Sequence, residues 1–204
     1  MKTEIMSASA SDAIPHALEI LKAGRLVAFP TDTVYGVGAL ASDGKAVESI
    51  YAAKDRPIEK AIPVLIGDSD DLEKLAINIP EAAHRLAARF WPGPLTILVP
   101  KRADLPESVS ATSTVGVRVP DHDVARALLR AAGPIAVTSA NISGGQSPVT
   151  AKEVYEQLGD RIDLIIDGGK TPGGVPSTLV DCTTSELKVL REGPVSLEDL
   201  LSAI

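Results

Sequence analysis

The chain holds one cysteine, Cys182, few aromatic residues (3%) and no long apolar run. A single thiol excludes an intrachain disulfide and fits a reducing compartment. No stretch reaches the roughly 18–20 consecutive apolar residues that a transmembrane helix needs, and Met1 to Ala17 carries no apolar segment of the secretory type. A cytoplasmic protein with no membrane contact is therefore expected. Scarce aromatics leave Ala, Val, Ile and Leu to build the core, and they remove the stacking platforms used to bind single-stranded nucleic acid. Basic residues number 20 against 27 acidic ones, a formal charge of −7. That balance excludes coating nucleic acid through a global basic field, while a local basic cleft stays compatible with it. His16, His84 and His122 have no metal-ligand spacing, and neither a Ser-His-Asp nor a Cys-His arrangement can be drawn.

What is present fits one soluble α/β domain. With 204 residues, 45% of them hydrophobic, the chain is long enough for a well-buried core. Ile14, Leu18 and Leu21 recur at helical spacing between Asp12, a candidate cap, and Gly24, a natural stop. Helical patterns also run from Gly44 to Lys54, near Leu72, from Pro80 to Phe90, from Asp121 to Gly133, from Thr150 to Leu158 and from Ser196 to Leu201. Short apolar runs between them read as strands: Leu26–Phe29, Ile62–Ile66, Leu95–Val99, Val115–Val119, Ile135–Val137 and Leu164–Ile166, with a late hairpin of Leu179–Val180 and Leu187–Leu190. Several strands follow one another without a helix, so a twisted, open, mixed sheet flanked by helices is expected. The Gly- and Pro-rich stretch 168–176 reads as a mobile loop over a site.

Three strings resemble walls of a polar cleft. They are Pro30-Thr31-Asp32-Thr33-Val34-Tyr35-Gly36, Lys54-Asp55-Arg56-Pro57 and Thr138-Ser139-Ala140-Asn141. Lys54 and Arg56, two apart after a helix end and with Lys60 close behind, can meet one polyanion; they can equally answer the helix macrodipole as solvated charges. Ser139 and Asn141 follow a buried strand, where open sheets bind ligands, although a plain turn has the same composition. Arg118 alternates with Val117 and Val119 and so needs an anionic partner, either a ligand or a structural carboxylate. Two fingerprints fail. Gly36-Val37-Gly38-Ala39-Leu40-Ala41 fits G-x-G-x-x-A but is separated from the preceding strand by six residues, and Gly168-Gly169-Lys170-Thr171 lacks the first glycine of a P-loop.

Taken in order, these strings resemble the YrdC-like threonylcarbamoyl-AMP synthases. The resemblance also rests on Phe90-Trp91-Pro92-Gly93-Pro94-Leu95-Thr96, Gly116-Val117-Arg118-Val119-Pro120, Ser177-Thr178-Leu179-Val180-Asp181 and Leu190-Arg191-x-Gly193. It covers roughly residues 10–195, with 1–9 as an N-terminal segment and 196–204 as a C-terminal helix on the same domain, in the short one-domain form. It implies a concave, positively charged cleft. There L-threonine, bicarbonate and ATP, with Mg2+, would yield threonylcarbamoyl-adenylate and pyrophosphate, for modification of adenosine 37 in tRNAs that read ANN codons. The adenylate would pass to a tRNA threonylcarbamoyl-transferase complex.

By motif position the resemblance implies Lys54, Arg56, Lys60, Thr114, Ser139, Asn141, Ser147 and Arg191 around ATP, with Lys54, Arg56, Ser139 and Asn141 catalytic. Thr33, Tyr35, Arg118 and Ser177 would surround threonine. Relatives often carry Pro at the position of Ala61 and His at that of Leu65, and Leu65 cannot donate a hydrogen bond. Two rival readings are a factor that clamps double-stranded RNA or tRNA in a basic cleft, and a carbamoyl-phosphate-dependent module like that of hydrogenase-maturation proteins.

Overall fold

The computed structural model describes residues 2–184 and 186–204. A ten-stranded mixed sheet runs through it: β1 (Glu4–Ser7), β2 (Val27–Phe29), β3 (Gly36–Leu40), β4 (Val64–Leu65), β5 (Leu95–Pro100), β6 (Thr114–Arg118), β7 (Ile135–Ser139), β8 (Leu164–Asp167), β9 (Thr178–Asp181) and β10 (Lys188–Arg191). Their spatial order is β1-β8-β2-β3-β7-β4-β6-β5-β9-β10. The helices are α1 (Ala13–Lys22), α2 (Gly44–Lys54), α3 (Glu81–Phe90), α4 (Asp123–Ala132), α5 (Ala151–Leu158) and α6 (Leu197–Leu201), with a 3-10 turn over Ser69–Lys74.

Strand periodicity divides the core into two layers. Val27 and Phe29, Leu164 and Ile166, Ile135 and Val137, and Leu65 pack with Ala17, Ile20, Leu21, Ala125, Leu128 and Leu129 of α1 and α4. The intervening Ala28, Ile165, Ala136 and Val64 join the larger cluster on the opposite face, with residues of α2, α3 and α5. Each fully buried Leu, such as Leu128 or Leu129, contributes about 1.5–3 kcal/mol. On β5, β6 and β9 the residues that alternate with this second layer are Thr96, Arg118 and Leu179, and they line a cavity instead of meeting α1 and α4.

Several local expectations change. β1 pairs in parallel with β8, so residues 4–7 of the N-terminal segment form an edge strand of the sheet. The run at Ile62–Ile66 contributes only Val64–Leu65, and His122, not Asp121, stands at the N-cap of α4. The failed G-x-G-x-x-A string is strand β3, paired antiparallel with both β2 and β7. Its glycines serve a close approach: a Cβ on Gly36 would lie 2.5 Å from Val137 Cγ1, and one on Gly38 would lie 2.7 Å from both Ala136 O and Ile135 Cγ2. The late hairpin forms between β9 and β10. The cap of α6 is a capping box in which Ser196 accepts from Asp199 N and Asp199 accepts from Ser196 N.

Candidate active site

A cavity of about 280 Å³ opens over the half of the sheet formed by β4, β6, β5 and β9, lined in part by Thr33, Tyr35, Arg56, Leu65, Thr96, Arg118, Ser139, Ser177 and Arg191. This is near the lower end of small-molecule sites, roughly 300–1,000 Å³. Chain positions as distant as 33 and 191 meet here, and none of the lining residues is acidic. No group of three or more His, Cys, Asp or Glu side chains able to hold a metal occurs among the described residues. The cavity lining itself offers no carboxylate to Mg2+.

Arg118 is 5% exposed and fully engaged along one edge. Its Nε donates to Gly93 O at 2.9 Å, Nη1 to Thr33 Oγ1 at 3.0 Å and Nη2 to Asp32 Oδ1 at 2.5 Å. Burial pulls its pKa down and Asp32 pushes it back up, with Arg191 adding a smaller downward pull. Thr33 in turn meets Thr31, whose hydroxyl donates to Val34 O at 2.7 Å. A second polar chain runs from Thr96 Oγ1 to Ser177 Oγ, 2.8 Å apart, and on to Arg191, whose Nη2 and Nε donate to Ser177 Oγ at 3.0 Å and Ser177 O at 2.9 Å. Arg56 donates to the carbonyls of Lys60 and Ala61. Burial lowers the pKa of both Arg56 and Arg191, and the charge of Arg56 further lowers that of Arg191.

Lys54 and Arg56 do not share a side. Asp55 ends α2 in the left-handed conformation, φ 50°, and turns the two cations apart: Arg56 reaches the cavity, whereas Lys54 is 1% exposed. Its ammonium donates to Ser139 O at 2.5 Å and to Asn141 O, and its own carbonyl accepts from Ser143 N. Burial, then Arg56, holds the amine down at about 7. Lys54 thus clamps the turn after β7. Asn141 spans that turn by donating to Ile142 O and Gly145 O, and its Oδ1 is buried without a partner among the described residues.

Of the positions singled out by sequence, Thr33, Tyr35, Arg56, Arg118, Ser139, Ser177 and Arg191 line the cavity, while Lys54, Lys60, Thr114, Asn141 and Ser147 stand outside its lining. Tyr35 is fully buried. Its hydroxyl donates to Gly169 O and accepts from Gly168 N, and burial pushes its pKa up to about 12. The stretch 168–176, read from sequence as mobile, is also fastened by Thr171 N to Val149 O and Gly174 N to Thr33 O. Sequence reasoning quoted Thr31, Asp32 and Thr96 within its strings but gave none of them a role of its own. Thr96 could have been found, because it interrupts the apolar alternation of Leu95–Val99; the partner of Asp32 lies 86 residues away.

A family model described as Sua5_yciO_yrdC, "Telomere recombination", matches residues 19–193. The chain belongs to the Sua5/YciO/YrdC family. Within that family it is 45% identical to threonylcarbamoyl-AMP synthase of Pyrococcus abyssi over 92% of its own length and 56% of that protein's. It is 42% identical to putative threonylcarbamoyl-AMP synthase of Mycobacterium tuberculosis, over 95% of this chain and 90% of the relative. The chain therefore spans about half the length of the P. abyssi relative and nearly all of the mycobacterial one. The crystal structure of P. abyssi Sua5 complexed with L-threonine superposes with a TM-score of 0.95 at 42% identity, covering 100% of this chain and 61% of that one. E. coli YciO follows at 0.85 and 28%, each chain being 98% covered. Full-length HypF, at 21% identity and a TM-score of 0.76, shares the fold alone.

Proposed function

We propose that this chain is an L-threonylcarbamoyl-adenylate synthase. One observation carries the reading: Thr33, Arg118, Ser177, Arg56 and Arg191 converge on one cavity without acidic lining, in a chain that superposes closely on a Sua5 complexed with L-threonine. The threonine carboxylate would take the unspent N–H groups of Arg118, and its hydroxyl would meet the Thr33 or Ser177 hydroxyl.

The threonine amine adds to bicarbonate with loss of water, giving a carbamate. A carbamate oxygen then attacks the α-phosphorus of ATP in line, the bond to the bridging oxygen breaks, and pyrophosphate leaves. The triphosphate, the threonine carboxylate and the nascent carbamate are all anionic groups, so they repel one another in an unlined pocket. Arg56 and Arg191, held by carbonyls and by Ser177, offset that charge without reorganising. Catalysis is then mostly positioning and charge neutralisation, as in phosphoryl transfer. Lys54, Lys60, Thr114, Asn141 and Ser147 belong to the nucleotide side of this reading by motif position, and Mg2+ enters with ATP. The adenylate would be handed to a tRNA-modifying transferase.

Pyrophosphate release with threonine, bicarbonate and ATP, each omitted in turn, tests the reading. Release is expected only with all three. Release that ignores threonine, or tight and strongly salt-dependent RNA binding without any release, overturns it.

A further inference from the structure

Asp32 lines no part of the cavity, yet it binds Arg118, which does. Its Oδ1 accepts from Arg118 Nη2 at 2.5 Å and from the backbone N of Asp121 at 3.1 Å, and its side chain is 12% exposed. A guanidinium carries five N–H donors. Three are taken by Gly93 O, Thr33 Oγ1 and Asp32 Oδ1, which leaves one on each of Nη1 and Nη2. We propose that Asp32 is a positioning residue for the amino-acid carboxylate. It fixes the rotation of the Arg118 guanidinium so that these two N–H groups face the ligand, and its charge competes with the ligand for Arg118.

The two effects of Asp32 oppose each other. Its hydrogen bond preorganises Arg118 and strengthens ligand binding. Its negative charge, at hydrogen-bond distance from the same guanidinium, repels an incoming carboxylate and spends part of the arginine's charge. A strongly bound amino acid would be released slowly, so a partly neutralised arginine suits a site that must turn over. Substitutions can separate these effects. Asp32→Asn keeps an oxygen able to accept from Arg118 and from Asp121 N but removes the charge, whereas Asp32→Ala removes both.

This inference rests on Arg118 holding the threonine carboxylate, and one experiment with two readouts distinguishes failure of either. In ligand-free protein, 15N NMR of the Arg118 side chain is expected to show restricted guanidinium rotation in the parent and in Asp32→Asn, and free rotation in Asp32→Ala. In the synthase assay the threonine KM is expected to fall about threefold to tenfold in Asp32→Asn and to rise at least tenfold in Asp32→Ala, with kcat little changed in both. Equal rotation in all three proteins, or a KM that rises alike in both variants, overturns the role assigned to Asp32. If the parent lacks any response to threonine while Arg118 is restricted as described, the threonine reading fails and the positioning of Arg118 by Asp32 stands.

Discussion

Substituting Gly193 by Ala perturbs the site without removing any side chain that could bind a substrate. A Cβ at this position would lie 2.4 Å from Thr178 N, 2.7 Å from Pro176 O and 2.7 Å from Ser177 C. All three are backbone atoms, so no side-chain rotation relieves the overlap. The strand start at Thr178 is pinned in turn by its N–H to Pro94 O at 3.0 Å and by its hydroxyl, which donates to Val195 O and accepts from Val195 N. Overpacking of this kind costs about 1–3 kcal/mol, and in a chain of this size each kcal/mol lowers Tm by roughly 2–4 °C. A fall of about 2–12 °C is therefore expected. The displaced segment carries Ser177, whose hydroxyl and carbonyl hold Arg191, so synthase activity should fall by at least tenfold at temperatures where the variant is still folded. Gly133→Ala is the control. Gly133 has φ 82° and ψ −162° with open space around it, so that variant meets a backbone penalty of about 1–3 kcal/mol without overlap at the site and leaves activity intact. A Gly193→Ala protein that melts with the parent and retains its threonine KM refutes the packing argument.

Three further outcomes follow from the same structure. Arg118→Ala removes charge-assisted contacts worth roughly 1.5–3 kcal/mol and should raise the threonine KM about tenfold to a hundredfold; an unchanged KM removes Arg118 from that role. Gly38→Ala should destabilise by about 1–3 kcal/mol in thermal melts, because its Cβ meets Ala136 O, Ile135 Cγ2 and Val137 Cγ2 within 2.9 Å, and a variant as stable as the parent contradicts the close approach of β3 and β7. Lys54 predicts a pH dependence of stability. Its folded pKa of about 7 lies below the ordinary 10.5, so the unfolded state binds more protons between these values and stability rises with pH there. Between pH 7 and 9 the gain is about 2 kcal/mol, a window chosen below the range where Cys182, pushed up to about 11 by burial, works in the opposite direction. The Tm of the parent relative to Lys54→Met should climb over that window, and parallel curves rule out a titrating buried amine.

The sequence made the mixed sheet legible wherever apolar runs were long enough, and it failed where chain geometry outvoted propensity. β3 carries two glycines, which are poor strand formers, because only glycine lets β7 pack beside it at 2.5–2.9 Å from a would-be Cβ. β4 supplies two paired residues where the sequence offered an apolar run of five, since pairing with both β6 and β7 extends only over Val64 and Leu65. The cavity residues on strands were readable as polar residues set into apolar runs, Arg118 most clearly. The separation of Lys54 from Arg56 was not readable, because it depends on Asp55 taking φ 50°, a conformation that aspartate tolerates without requiring it. The clamp of Lys54 on Ser139 and Asn141 joins residues 85 and 87 apart in the chain, and no local pattern encodes it.

Parity along the strands explains why the cavity is a site and not a packing defect. The layer that meets α1 and α4 is apolar at Val27, Phe29, Leu164, Ile166 and Ile135. The same layer turns to Thr96, Gly116 and Arg118 on β5 and β6, where Gly116 leaves room beside Thr96 and Leu179. A core that merely lacked a helix would stay apolar there and close up or expose hydrophobic surface. Burying an arginine costs several kcal/mol unless its charge and donors are met, and a purely structural Arg118 would be selected to have all five donors satisfied. Here the protein supplies one acid, one hydroxyl and one carbonyl and leaves two donors unspent on a residue that lines the cavity. An arginine that lines a cavity with two donors unspent can receive a carboxylate, and the direction of the Asp32→Asn effect tests whether it does.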